Sequence, residues 1–199
     1  MPGNCARPAL PVSGPSLVDL SGAYVFDPVG SSVGFSFRHA AGADVRGAFR
    51  DFEGFLRIDA HRPARSEAYV SVQSGSLDTG LAARDSRIAG PCCLDAAAFP
   101  LMLFRSSAVA PYGAHRFRVT GPLRIKDVEL PLHLDLGCLG ALRDPGGRRR
   151  IGFEGSATIR RRAWGLAGSA PPAVLGNPPG DEIRLELRVC ALRLGPEAR

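Results

Sequence analysis

Apolar residues recur at every second position in stretch after stretch of this chain. Val33, Phe35 and Phe37 do so, as do Ala68, Val70 and Val72. Ile151, Phe153, Ala157 and Ile159 repeat the pattern, and Ile183, Leu185, Leu187 and Val189 close it. Successive side chains of a strand point to opposite faces, so each stretch buries one face and shows the other to water. A chain patterned in this way is held to strands.

Further strands are expected over Ala23 to Asp27, Val45 to Ile58, Leu101 to Val109, Phe117 to Lys126 and Val128 to Cys138. The alternation changes phase near Asp51-Phe52, with Gly47 and Gly54 on either side, which predicts a bulge or sharp bend. Pro122 and Pro131 cannot donate to a ladder and so belong at edges or bulges. Arg143-Asp144-Pro145-Gly146-Gly147 is a strong turn. One helix-compatible segment interrupts the strands, from Asp78-Thr79 to Gly90-Pro91, with Asp78 or Thr79 able to cap it and Leu81 and Ile88 on one face. About eight or nine short strands without βαβ alternation give an all-β, antiparallel sandwich or barrel.

At 199 residues the chain is one domain with tails. Residues 1–20 and 195–199 are expected to be irregular, and 21–194 to form the domain. The first twenty residues lack the three-part plan of a secretory leader. No apolar run reaches the roughly 18 residues of a membrane span. Five cysteines, an odd number without metal-ligand spacing, suit reduced thiols, and the expected location is cytoplasmic. The role of vicinal Cys92-Cys93 is open. The net charge is +6, and Lys126 is the only lysine. An arginine-only basic set suits oxyanions, but codon usage in a GC-rich genome is the plainer reason. Binding to nucleic acid would need those arginines gathered on one face with exposed aromatics, and no nucleic-acid partner is expected.

Signatures of dinucleotide, nucleotide, zinc-protease and serine-hydrolase sites are absent from the sequence, so neither a catalytic set, a metal nor a cofactor is assigned. His133 lies two residues from Asp135, on one face of a strand, where an oriented imidazole or simply a surface histidine fits. Asp78, Arg84, Asp85 and Arg87 bracket the helical segment. Salt-bridging that fixes this segment is their plainest role.

Four passages resemble one family, in its order: AYVFDPVGSSVGFSFRHA near the start, the Ser-Leu-Asp-Thr-Gly turn with Arg84-Asp85 and Phe99-Pro100, VTGPLRIKDVELPLHLDL, and RIGFEGSATIRRRAWGL. The chain thus looks like a YceI-like protein. That resemblance implies an eight-stranded lipocalin-like barrel with a short helical lid over one end, holding a polyisoprenoid, an isoprenoid quinone or a fatty-chain lipid. Cavity candidates are then Phe35, Phe37, Phe49, Phe55, Phe104 and Phe153, with Trp164. Arg161 or Arg162 matches the family's arginine before an aromatic-glycine pair, and with Asp85 these are the headgroup candidates. After Ile88-Ala89 the chain departs from the family, with Gly90-Pro91-Cys92-Cys93 in place of larger residues. The expected partner is a hydrophobic small molecule, without stable membrane insertion, and with homodimerisation left open. The alternative is a barrel enzyme of cyclase or isomerase type acting on a polyketide or terpenoid intermediate. Arg161, His133, Asp85 or Tyr69 would then supply the acid or orienting group.

Overall fold

The alternating stretches pair into one antiparallel meander that closes on itself. The computed structural model describes residues 20–38, 44–166 and 180–195. Four of its strands bend partway. β1 (Gly22–Phe26) runs on into β2 (Ser32–Arg38), β3 (Asp44–Phe49) into β4 (Phe52–Ile58), β5 (Glu67–Gln73) into β6 (Leu77–Asp78), and β7 (Leu101–Arg105) into β8 (Ala108–Gly113). Four more follow: β9 (Arg116–Ile125), β10 (Val128–Arg143), β11 (Arg149–Arg160) and β12 (Glu182–Arg193). Neighbours pair antiparallel in chain order, and β12 returns to the start, pairing with β2 from Ile183 to Arg188 and with β1 from Ala191 to Arg193. The outcome is a closed barrel of eight antiparallel strands. Closure leaves no long free edge for another chain to pair with.

Each bend has a local cause. At the first, the Asp27 carbonyl accepts the N–H groups of Gly30 and Ser31, and Ser31 Oγ accepts from the Cys190 N–H at 2.9 Å. At the second, Asp51 donates its N–H to Ser76 Oγ, at the point where the alternation changes phase. The bend between β7 and β8 divides what the pattern presents as one strand, Leu101 to Val109. Ser106 and Ser107 turn the chain over Gly121, where a Cβ would lie 2.0 Å from the Arg105 carbonyl oxygen. Pro122 faces Pro131 across β9 and β10. On its other side Pro122 meets the gap between β7 and β8, and Pro131 lies before the part of β10 that pairs with β11. The missing donors therefore fall where no ladder partner waits. β10 also outruns its expected end at Cys138, because a bulge between Cys138 and Gly140 carries the pairing on to Arg143.

The interior faces are those the alternation marks. Val70 and Val72, Ile151, Ala157 and Ile159, and Val189 with Ala191 are all buried. The barrel has two unlike ends. At one lie the β4–β5, β8–β9 and β10–β11 connections; at the other lie α1 (Ala82–Ala89), the β9–β10 turn and the turn after β11. The helix begins one residue after Leu81, whose side chain is exposed, and buries none of its own residues. Neither Asp78 nor Thr79 caps it. Asp85 instead reaches back to accept the Thr79 N–H at 3.1 Å, while Arg84 Nε donates to Thr79 Oγ1 at 2.7 Å. Leu20, expected within the irregular leading tail, is only 2% exposed and accepts the Tyr24 hydroxyl at 2.9 Å.

Candidate functional site: an apolar cavity in one half of the barrel

The same alternation that makes a core makes a container where the inward side chains stop meeting. In the half of the barrel near α1 they do meet. Phe35 and Phe49 pack with ring centres 5.4 Å apart, Phe37 stacks at 6.4 Å from Phe35, and Trp164, 5% exposed, donates its indole N–H to the Leu123 carbonyl at 3.2 Å. Gly47 lets the Phe35 ring in, since a Cβ there would lie 2.5 Å from it. This half is solid.

The other half encloses a cavity of about 110 Å³. Its aromatic wall is Phe26, Phe104, Phe117 and Phe153, and aliphatic side chains from Leu56, Val70, Leu134 and Val189 fill the spaces between them. Gly54 makes room for Phe26, whose ring would stand 2.3 Å from a Cβ at that position. Ala68 keeps the β5 side open. Among the described residues, the polar side chains on the lining are Asp59, Ser66 and Glu67, all at the β4–β5 connection, where Leu20 and Pro63 complete the rim. Glu67 is exposed and held by Arg57 at 2.6 Å, so the cavity reaches the surface at this end. Asp59 is occupied by the N–H groups of His61 and Arg62, at 3.1 and 2.8 Å. Ser66 Oγ accepts the Asp59 N–H at 3.0 Å, which leaves its hydroxyl hydrogen to donate.

The expected site residues divide between the two halves. Phe104 and Phe153 line the cavity. Phe35, Phe49 and Trp164 are buried in the solid half, and Phe37 packs beside them. Phe55 is 36% exposed on the outer face, because residues 54, 56 and 58 of β4 take the inward positions. Arg161, Arg162 and Asp85 all stand at the α1 end, away from the cavity. Arg162 meets Asp181 at 3.7 Å, Asp85 belongs to the Thr79 turn, and the buried Nε of Arg161 has no hydrogen-bond partner. The helix lies at that end as well, so it does not cover the cavity; the β4–β5 connection does.

The groups weighed for catalysis do not converge. His133 Nδ1 meets Thr120 Oγ1 at 3.1 Å on the outer face, and Tyr69 is exposed. His39 and Cys5 lie outside the described residues, as does most of the loop from 165 to 180. Cys92 is exposed, whereas burial pushes the Cys93 thiol up, against the opposing pull of the Arg161 and Lys126 charges. No cluster of three or more potential metal ligands occurs among the described residues.

Phe26 and Phe117, with Leu20, Leu56, Ala68 and Val70, are wall residues absent from the sequence-based candidates. The signal was present, since Tyr24 and Phe26 also alternate. What a single sequence does not carry is how far along each strand the facing side chains stop touching.

Comparison with known proteins bears on the same region. The YceI-like domain model matches residues 24–191. A UPF0312 protein of Azotobacter vinelandii is 32% identical over 152 residues, covering 75% of this chain and 79% of its own. Protein YceI of Salmonella newport is 29% identical over 156 residues, covering 78% of each. Among solved structures, BcnA of Burkholderia cenocepacia superposes with a TM-score of 0.71 at 23% identity, covering 83% of this chain and 98% of that one. A polyisoprenoid binding domain from Saccharophagus degradans does so with a TM-score of 0.68 at 15% identity, covering 86% and 98%. Both structures share the barrel.

Proposed function

This chain belongs to the YceI-like family, and on that footing we propose that it is a carrier, taking the end of a long hydrophobic chain into the hollow half of the barrel. The observation that carries this reading is the wall. It is apolar from Val70 down to the rim, and its few polar groups gather at the mouth. Such a lining offers a hydrocarbon burial and little else, and burial suffices at about 0.8 kcal/mol per CH₂. The Saccharophagus domain, described as binding polyisoprenoid, supports an isoprenoid chain as the ligand; an isoprenoid quinone or a fatty chain would meet the same apolar wall.

The size of the cavity sharpens the proposal. At about 110 Å³ it is smaller than the ~150 Å³ engineered cavity that holds one benzene. It therefore encloses a terminus of about four or five carbons, which contributes roughly 3–4 kcal/mol and by itself gives only millimolar affinity. Tighter binding requires that the rest of the chain lie along the rim, or that Phe26, Phe104 and Phe153 swing aside. A carrier built this way binds first by the tail and fits the remainder by rearrangement.

Ala68→Phe tests the reading directly. The new ring projects into the cavity and so fills space instead of crowding a packed core. Titration with the neutral apolar dye N-phenyl-1-naphthylamine should show saturable binding to the wild type and at least tenfold weaker binding to the variant, with the thermal midpoint kept or raised. Equal binding by both proteins would place the hydrophobic site elsewhere.

A further inference from the structure

The mouth of the cavity carries a charge pattern that the opposite end lacks. Around the hollow end stand Arg62 and Arg65 on the β4–β5 connection, Arg116 at the start of β9, Arg148 and Arg149 at the β10–β11 turn, and Arg193 at the end of β12. Fewer carboxylates than arginines stand at this end, and the arginines' neighbours are Asp59, Glu67 and Asp144. Asp59 is bonded to backbone N–H groups, Glu67 is paired with Arg57, and Asp144 lies between Arg148 at 3.0 Å and Arg150 at 3.5 Å. At the α1 end the charges nearly cancel. Arg84 lies beside Asp85, Lys126 beside Asp127, Arg160 opposite Glu182 and Arg162 against Asp181. Among the described residues, the excess positive charge is thus gathered at the end where the cavity opens.

Two exposed apolar side chains share that end. Tyr112, 45% exposed, lies at the close of β8, with Arg118 over its ring at 5.4 Å, and Leu194, 46% exposed, follows β12. Arginines interspersed with a tyrosine and a leucine make a surface suited to the boundary of a bilayer, where the aromatic ring sits at the headgroups and the cations meet anionic lipid. A soluble polyanion would use the arginines and leave Tyr112 and Leu194 in water.

We infer that the hollow end of the barrel docks on anionic lipid bilayers, with Arg62 and Arg65 facing the headgroups and the cavity mouth against the membrane. The inference rests on the carrier role proposed for the cavity and states where it loads and unloads. A hydrocarbon chain crossing open water exposes its whole length, whereas one passing from bilayer to docked mouth stays covered. No part of the barrel needs to insert, and no helix among the described residues is long and apolar enough to span a membrane.

The test is co-sedimentation of the full chain with vesicles of phosphatidylcholine alone and with one third phosphatidylglycerol, at 50 and 300 mM salt. The paired variants are R62E/R65E at the hollow end and R87E/K126E at the α1 end, which change the net charge equally. Wild type should bind the anionic vesicles at low salt, release at high salt, and ignore the neutral ones. R62E/R65E should bind at least tenfold more weakly, and R87E/K126E within twofold of wild type. Equal loss in both variants would reduce the effect to net charge and overturn the docking geometry. Absence of binding to anionic vesicles at low salt would overturn the inference outright, as would binding of a short RNA duplex more tightly than of the vesicles. Dye binding by R62E/R65E reads the cavity separately: retained, it leaves the carrier role standing whatever the vesicles show.

Discussion

Glycine 54 decides more about the cavity than any aromatic residue does. A Cβ there would stand 2.3 Å from the Phe26 ring, so even alanine must push that ring towards the hollow. Overpacking of this kind costs about 1–3 kcal/mol, and Gly54→Ala should show that loss in chemical denaturation together with weaker dye binding. An unchanged midpoint would mean that Phe26 has another resting place. Trp164 makes the complementary case. Its indole N–H reaches the Leu123 carbonyl in the solid half, so Trp164→Phe should cost about 1–3 kcal/mol for the orphaned carbonyl and the lost bond, with dye affinity unaltered. Cys92 and Cys93 separate by reactivity. Burial holds the Cys93 thiol above the usual range, so it stays protonated at neutral pH while Cys92 is exposed. Iodoacetamide at pH 7.5 should label Cys92 first, with Cys93 at least tenfold slower. Equal labelling of the two would show the loop after α1 to be open in solution.

At the scale of elements, the segment around α1 is fastened by charge more than by burial. Arg50 on the bend after β3 donates to Asp78 of β6 at 2.7 Å, and the Gly80 N–H adds a bond at 2.8 Å. Together they hold the Asp78 carboxyl below its usual range. A carboxyl lowered by folding stabilises fully above its unfolded value of about 3.9 and loses that contribution as pH falls through the lower folded value. The protection of residues 79–89 against hydrogen exchange, taken relative to the intrinsic rate at each pH, should therefore fall on acidification below about pH 4, before the barrel opens. Asp78→Asn should show lower protection of this segment at neutral pH and lose the acid step; persistence of the step in that variant would assign it to another carboxylate. The strands themselves were legible in the sequence because period-two alternation is set by the pleat, and the phase change at Asp51-Phe52 did mark a bend. The break between β7 and β8 was not legible. Its cause is a close approach to Gly121, which pairs with these strands only after the chain has turned back.

At the scale of the whole molecule, the described barrel holds its apolar cavity in one half and packed aromatic side chains in the other. Inward faces could be read from Val70, Ile151 and Leu187, yet which half stays hollow depends on eight strands meeting at different depths. Phe35, Phe49 and Trp164 close one half around the α1 end, whereas Ala68 and the aliphatic side chains near it leave space in the other. The arginines of the RRRAW segment accordingly stand far from the mouth, and the rim comes from the β4–β5 connection, whose His-Arg-Pro-Ala-Arg sequence reads as an ordinary loop. The carrier role stands or falls on whether this hollow half holds a hydrophobic chain. Native mass spectrometry of freshly purified wild type and of Ala68→Phe tests it most directly. Wild type should carry a one-to-one apolar adduct that solvent extraction releases, and the variant should lack it or show it sharply depleted. A wild type that is empty even after incubation with farnesol or a fatty acid, or an adduct equally abundant on both proteins, would contradict it.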